Sequence, residues 1–393
     1  MGCRAIVCAR RLSLSAPWPI FGSVRIKKDF EGARIAVVAA DDPADVRLTI
    51  PADGFNPRFR QWFSFRARGV RGKFCSYRLM NAGACTWARA FAHYQVAASY
   101  DDVVWFRVPT RFDGEVLTFE HTPASEPIHY AYFAPYSSER LAELLARADN
   151  ARFDVEELGD SGAGTAMMMI GAGSQDEDAP RLWIIAQQHS GEPMAGWFME
   201  GVLERLMSGD EVSSDLLSRA RLCLVPCMNP DGVSMGNHRT NGSGLDLNRQ
   251  WSEPDRKAPE VAVVRDRMLK EGVDFFLDVH GDEVLPYVFT QGTEGNPGRT
   301  PRIQELEDAF AEAMLRASTE YQTEHSYPRD MPGEANLKIA ANWVGETFDC
   351  LSMTLEMPFT DNANAPDEEQ GWSPERSKKL GSDLIDALRE CAV

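Results

Sequence analysis

Apolar residues in the first third of the chain come in short runs divided by polar turns. GARIAVVAA (32–40), VRLTIPA (46–52), QWFSFRARGV (61–70), VVWFRVP (103–109) and EVLTFEH (115–121) are β-rich and split by Gly, Pro and Asp. That spacing predicts an antiparallel sandwich of about 100 residues. IHYAYFAPYS (128–137) closes the block, and SERLAELLARA (138–148) has helical spacing.

Beyond residue 150 the period changes. Strand-like AMMMIGAG (166–173) and RLWIIAQQ (181–188) lead into a helical PMAGWFMEGVLERLMSG (193–209). RLCLVPCM (221–228), DFFLDVH (274–280) and CLSMTLEM (350–357) are further short apolar runs. Helical patterns at 259–272, 301–318 and 373–391 separate them, the last with Ser373 suited to its N-cap and Pro374 to its first position. Strands alternating with helices predict an α/β fold: a mixed, largely parallel sheet covered by helices on both faces. The domain reading is an N-terminal extension over 1–24, a β-sandwich over 25–136 and an α/β domain over 137–393.

Composition adds exclusions. Hydrophobic residues at 44% and charged residues at 25% are ordinary globular usage. Lys and Arg number 41 against 59 Asp and Glu, a net charge of −18, which repels nucleic acid and anionic membrane surfaces. No apolar run reaches the roughly 18 residues of a membrane-spanning helix. In the first 24 residues Pro17 and Pro19 interrupt the apolar stretch, so a weak targeting peptide and an over-extended start both fit better than a signal peptide. Eight scattered cysteines without a CxxC pair read as reduced thiols of a cytoplasmic protein.

Four segments can carry chemistry. In QQHSGEPMAG, His189 follows an apolar strand and Glu192 stands just before a helix, so both can converge at the strand's C-terminal end, where open α/β sheets bind ligands. Imidazole nitrogen and carboxylate oxygen are zinc donors, although this pair alone also fits a surface histidine beside a helix-start glutamate. LDVHGDE ends a second strand in His280. Three protein ligands with one open position is the count a catalytic zinc wants, and His189, Glu192 and His280 supply it, one ion per chain. The loop NPDGVSMGNHRTNGSGLDLNRQW (229–251) is poor core material and good polar-recognition material. There Arg249 beside Asn248 can hold a carboxylate, Arg239 can neutralise an oxyanion, and Asp246 can orient a ligand histidine. Finally, Glu356 interrupts the apolar strand SMTLEMPF. It is either a general base raised in pKa by burial or an outward-facing strand residue.

Together, HSGE, NPDG, GNHR…LDLNRQW, DVHGD and TLEMPF resemble the zinc metallocarboxypeptidase family, carboxypeptidase A-like, and most closely its cytosolic carboxypeptidase branch. RQWFSFRARG and YAYFAPYS are similar to that branch's N-terminal sandwich. The resemblance implies hydrolysis of C-terminal residues from peptides or proteins, glutamate among them. It implies zinc on His189, Glu192 and His280, and Arg239 on the scissile carbonyl. Asn248 and Arg249 would hold the terminal carboxylate, and Glu356 would shuttle the proton. It also implies a loop tyrosine, for which Tyr327 is the candidate, and a basic pocket residue in glutamate-removing members, for which Lys338 is the candidate. At −18 the chain repels polyglutamate, so that preference needs a local basic patch drawn from Lys338, Arg239, Arg249 and Arg329. Two rivals are a zinc deacylase of small N-acyl amino acids and a non-catalytic binding protein built around the sandwich.

Overall fold

The computed structural model describes residues 23–391, so most of the N-terminal extension lies outside the described residues. Turn-rich sequence keeps the early strands short. They are β1 (Arg25–Lys27), β2 (Ala36–Ala39), β3 (Val46–Thr49), β4 (Ser64–Arg68), β5 (Cys75–Leu79), β6 (Val96–Ser99), β7 (Trp105–Val108), β8 (Thr110–Phe112), β9 (Leu117–His121) and β10 (Ile128–Ala131). They form two five-stranded sheets, ordered β1-β4-β10-β6-β7 and β2-β3-β5-β9-β8. Alternation turns Phe65 and Tyr130 of one sheet toward Tyr77 and Phe119 of the other, with ring centroids of Tyr130 at 5.0 Å from both Tyr77 and Phe119. One pair departs from the expected antiparallel pattern: β3 and β5 run parallel. Between them the chain crosses to the opposite sheet as β4 and returns, which brings β5 back in the direction of β3.

The rest of the chain is α1 (Ser138–Asn150), β11 (Asp154–Asp160), β12 (Ala166–Gly173), β13 (Arg181–Ala186), α2 (Met194–Met207), α3 (Glu211–Arg219), β14 (Arg221–Val225), α4 (Pro230–Met235), α5 (Pro259–Glu271), β15 (Phe275–Asp282), β16 (Phe289–Gln291), α6 (Pro301–Ala317), α7 (Ala340–Phe348), β17 (Leu351–Pro358) and α8 (Pro374–Cys391). One seven-stranded sheet runs β11-β12-β14-β13-β15-β17-β16. Its centre, β14-β13-β15-β17, is parallel, and the outer strands pair antiparallel. Both faces are covered, which is why the central strands are nearly continuous apolar runs. Leu182, Ile184 and Ala186 join a core shared with α2 and α8, while Trp183 and Ile185 join a second core with Val261, Val264 and Met268 of α5.

Helix α2 is buried almost all round, including its one-percent-exposed Glu200. That carboxylate is held by Arg140 through two 2.7 Å bonds and by Lys378 at 3.1 Å, which offsets the cost of burying it. α2 and α8 cross at glycines. A β-carbon on Gly201 would stand 1.9 Å from the Lys378 carbonyl oxygen, and one on Gly381 would stand 2.1 Å from that of Phe198. Gly201→Ala must push the two helices apart. We expect a loss of about 1–3 kcal/mol in chemical denaturation, the usual range for overpacking, whereas an unchanged midpoint would remove the crossing from the account.

Candidate active site

The parallel strands β13, β15 and β17 end at one rim of the sheet, and the sequence places polar residues there. β13 stops at Ala186; Gln187 then takes a left-handed backbone (φ +57°), unusual for a residue with a β-carbon, and redirects the chain into His189–Glu192. His280 lies in β15 directly beside Glu356 of β17. The loop after β14 and α4 delivers Arg239, Asp246, Asn248 and Arg249 to the same rim.

His189 Nδ1 is 2.8 Å from Glu192 Oε1, and His280 Nδ1 is 2.8 Å from Glu192 Oε2. The two Nδ1 atoms are 3.1 Å apart, and the three residues are buried. Their donor atoms all lie within 4.8 Å of one another. Each ring's far edge meets a carboxylate. His189 Nε2 is 3.1 Å from Asp246 Oδ1, and His280 Nε2 is 2.8 Å from Asp278 Oδ2. Asp278 is itself fixed by Gln188 Nε2 at 2.6 Å, and Gln188 by Trp251 Nε1 at 2.8 Å. A proton kept on each Nε2 leaves both Nδ1 lone pairs pointing at one place, the arrangement of carboxylate-supported metal histidines. This donor set fits a zinc ion.

Electrostatics follow the same geometry. Burial opposes charge on Glu192, but the two histidines outweigh it and hold the carboxyl below its ordinary range. Burial likewise opposes charge on Asp246, and His189, Arg239 and Arg249 outweigh it. Glu356 goes the other way: burial, then Glu192 and Asp282, push it well above an ordinary carboxyl despite the opposing pull of His280. Its Oε2 is buried without a hydrogen-bond partner, which suits a group awaiting a water or substrate proton.

A cavity of about 680 Å³ opens over these groups. Its walls include His189, Glu192, Arg239, Asn248, Arg249, His280, Tyr327 and Glu356. Arg239 donates through Nε to Asp246 Oδ2 at 2.7 Å. Asn248 Oδ1 accepts from Ala340 N at 2.8 Å, and its Nδ2 lies 3.3 Å from His280 Nε2. Arg249 donates from Nη1 to the Asn248 carbonyl at 2.7 Å. Tyr327 reaches the cavity and donates to Asp282 Oδ2 at 2.5 Å.

Lys338 is a correction. Its side chain is exposed and is not part of the cavity wall; the wall at that point is Ile339. The Lys338 carbonyl accepts from Trp251 N at 3.1 Å, which fixes the backbone so that the next side chain faces inward. Arg329 is also exposed and pairs with Glu294 at 3.4 Å. Conversely, Asp278, Trp87 and Arg89 belong to the site and escaped sequence reasoning. Asp278 carried a usable signal: two residues before His280 in one strand, it must share that side of the sheet. Trp87 and Arg89 come from the connection between β5 and β6, and nothing local marks them.

A second constellation has the look of chemistry. Ser64 Oγ is 2.8 Å from His129 Nε2, and His129 Nδ1 is 2.6 Å from Asp102. Ser64 is only 1% exposed, so the row ties β4 to β10 and the 101–104 turn instead of presenting a nucleophile.

Residues 138–378 match the zinc carboxypeptidase family model, and residues 26–133 match that of the cytosolic carboxypeptidase N-terminal domain. A metallo-carboxypeptidase crystal structure from Burkholderia cenocepacia is 44% identical, covers 93% of this chain and 98% of its own, and superposes with a TM-score of 0.91. One from Pseudomonas aeruginosa is 45% identical with the same coverage and a TM-score of 0.88. Mouse cytosolic carboxypeptidase 6 is 24% identical over 70% of this chain and 56% of its own length. The chain belongs to the zinc carboxypeptidase family, on its cytosolic carboxypeptidase branch, and is a metallocarboxypeptidase that hydrolyses peptides.

Proposed function

We propose that this enzyme binds one zinc ion through His189 Nδ1, Glu192 and His280 Nδ1, and removes single residues from peptide or protein C-termini. The observation that carries this reading is the convergence of three buried donors beside the unpartnered Glu356 Oε2 in one cavity. When bound, zinc lowers the pKa of a coordinated water and polarises a carbonyl. The protein's own groups do the rest. Glu356 accepts the attacking water's proton and returns it to the leaving amine, a role matched to its raised pKa. Arg239 faces the developing oxyanion with guanidinium nitrogens left free by its single Nε bond. Arg249 receives the terminal carboxylate, and the free hydrogen of the Asn248 amide supports it. Tyr327 closes the cavity over the bound end. The unpaired state of all six described cysteines, and the cytosolic name of the relatives, support a cytoplasmic setting.

For the end residue, two readings have support. The P. aeruginosa relative is in complex with (2-guanidinoethylmercapto)succinic acid, which joins a guanidine group to two carboxylates. With Lys338 outside the cavity, Asp330 on its rim and a net charge of −18, these points favour a basic C-terminal residue. Arg89, exposed on the same wall, favours glutamate.

Mass spectrometry of a peptide series ending in Lys, Arg, Leu, Asp or Glu tests both the reaction and the preference. We expect single-residue loss, fastest from Lys and Arg, and none with Glu356→Ala, whose metal content stays that of the wild type. Normal turnover by Glu356→Ala would remove the proposed base, and fastest loss from Glu would reverse the preference. The supporting carboxylates give a second test with no turnover in it. Asp278→Ala removes the acceptor that holds the His280 ring edge, and we expect zinc affinity against a competing chelator to fall by about 10–100-fold. An unchanged affinity would mean that Asp278 does not orient the ring.

A further inference from the structure

Arg239 sits on a loop rich in Gly and Asn, yet it is 14% exposed and well fixed. Part of what fixes it lies about 185 residues away in sequence, in the connection between β3 and β4. Asp53 is 5% exposed, and its carboxylate collects four hydrogen bonds from three successive residues of that loop. Oδ1 accepts from His238 N at 2.7 Å. Oδ2 accepts from Arg239 N at 2.9 Å, Thr240 N at 2.9 Å and Thr240 Oγ1 at 3.0 Å. The next residue, Gly54, donates its N–H to Asn237 Oδ1 at 2.8 Å. Above this, the guanidinium carbon of Arg239 lies 5.6 Å from the Phe59 ring centroid and 5.5 Å from that of Trp87, both also N-terminal. A charged acceptor for several backbone N–H groups is stronger than a neutral one and leaves the loop one conformation. The aromatic faces favour the cation where it stands.

We propose that Asp53, with Phe59 and Trp87, positions Arg239 for catalysis, so that the N-terminal domain is part of the catalytic machinery. The inference rests on the reading of Arg239 as oxyanion partner given above. Asp53 does not touch substrate; it acts by holding the Arg239 backbone, while Asp246 and the rings hold the side chain. Loss of this hold displaces a transition-state contact and leaves ground-state binding by Arg249 in place. It therefore lowers kcat and spares KM.

A double-mutant cycle on a peptide that the wild type hydrolyses tests this. Asp53→Asn keeps the shape but turns an amide N–H toward backbone donors. We expect kcat to fall about 10-fold with KM unchanged and zinc content intact, against a fall of about 10²-fold or more for Arg239→Ala. In the Arg239→Ala background, Asp53→Asn should lower kcat no further. Equal losses in both backgrounds would make Asp53 a merely structural residue, and an unchanged kcat in the single variant would make it idle; either overturns the proposal. Full activity of Arg239→Ala would instead show that the reading of Arg239 fails, and the inference with it. If Asp53→Asn does not fold, Phe59→Leu, at a partly exposed position, goes through the same cycle with a several-fold loss expected in the first background only.

Discussion

Two imidazole rings pack beside each other at this site with their Nδ1 atoms 3.1 Å apart. Nothing in an isolated histidine favours that. The constraint comes from behind: Asp246 and Asp278 take the Nε2 edges, and Glu192 bridges the Nδ1 edges with one oxygen to each. With the Arg239 guanidinium on Asp246, a divalent cation at the inward nitrogens can balance the three buried carboxylates around two neutral imidazoles. The remaining polar apparatus is arranged around that demand. Asp246 serves His189, Arg239 and the backbone of Asn248 at once, so one side chain couples a proposed ligand, the proposed oxyanion partner and the proposed carboxylate-binding turn.

The fold supplies this geometry through its sheet. Parallel strands end together, so residues distant in sequence are placed side by side, as His280 and Glu356 are on adjacent strands. Dense packing beneath, with α2 and α8 in contact at glycines, gives the rim little freedom to relax. The N-terminal sheets close the other side. Beyond the Asp53 contacts, Arg107 of β7 donates to the carbonyls of Phe359, just after β17, and Trp372, just before α8, at 2.9 and 2.8 Å. The two halves of the chain thus meet through directed polar bonds, those of Asp53 on the loop that carries Arg239 and those of Arg107 away from the cavity.

What the sequence made legible follows from what is local. The strands that carry the site, β13, β15 and β17, are long apolar runs ending in His or carrying Glu, and they read clearly. Strands β5, β6 and β11 did not. CSYRL and VAAS are short with little alternation, and DVEELGD is an edge strand with exposed acids, so each is held by its partners more than by its own pattern. The proposed ligand trio is legible because each member stands near an element's end. Lys338 misled because sequence gives a loop residue's distance from Glu356 but not the direction of its side chain. Asp53 and Trp87 were invisible for a related reason: their roles lie in contacts across about 150 residues or more, and no periodicity records those.

The most direct measurement is diffraction at the zinc absorption edge from crystals of the purified enzyme. One anomalous peak within bonding distance of His189 Nδ1, His280 Nδ1 and a Glu192 oxygen is the predicted result. A zinc ion held elsewhere, or these three side chains bound to none at full zinc loading, would contradict the account.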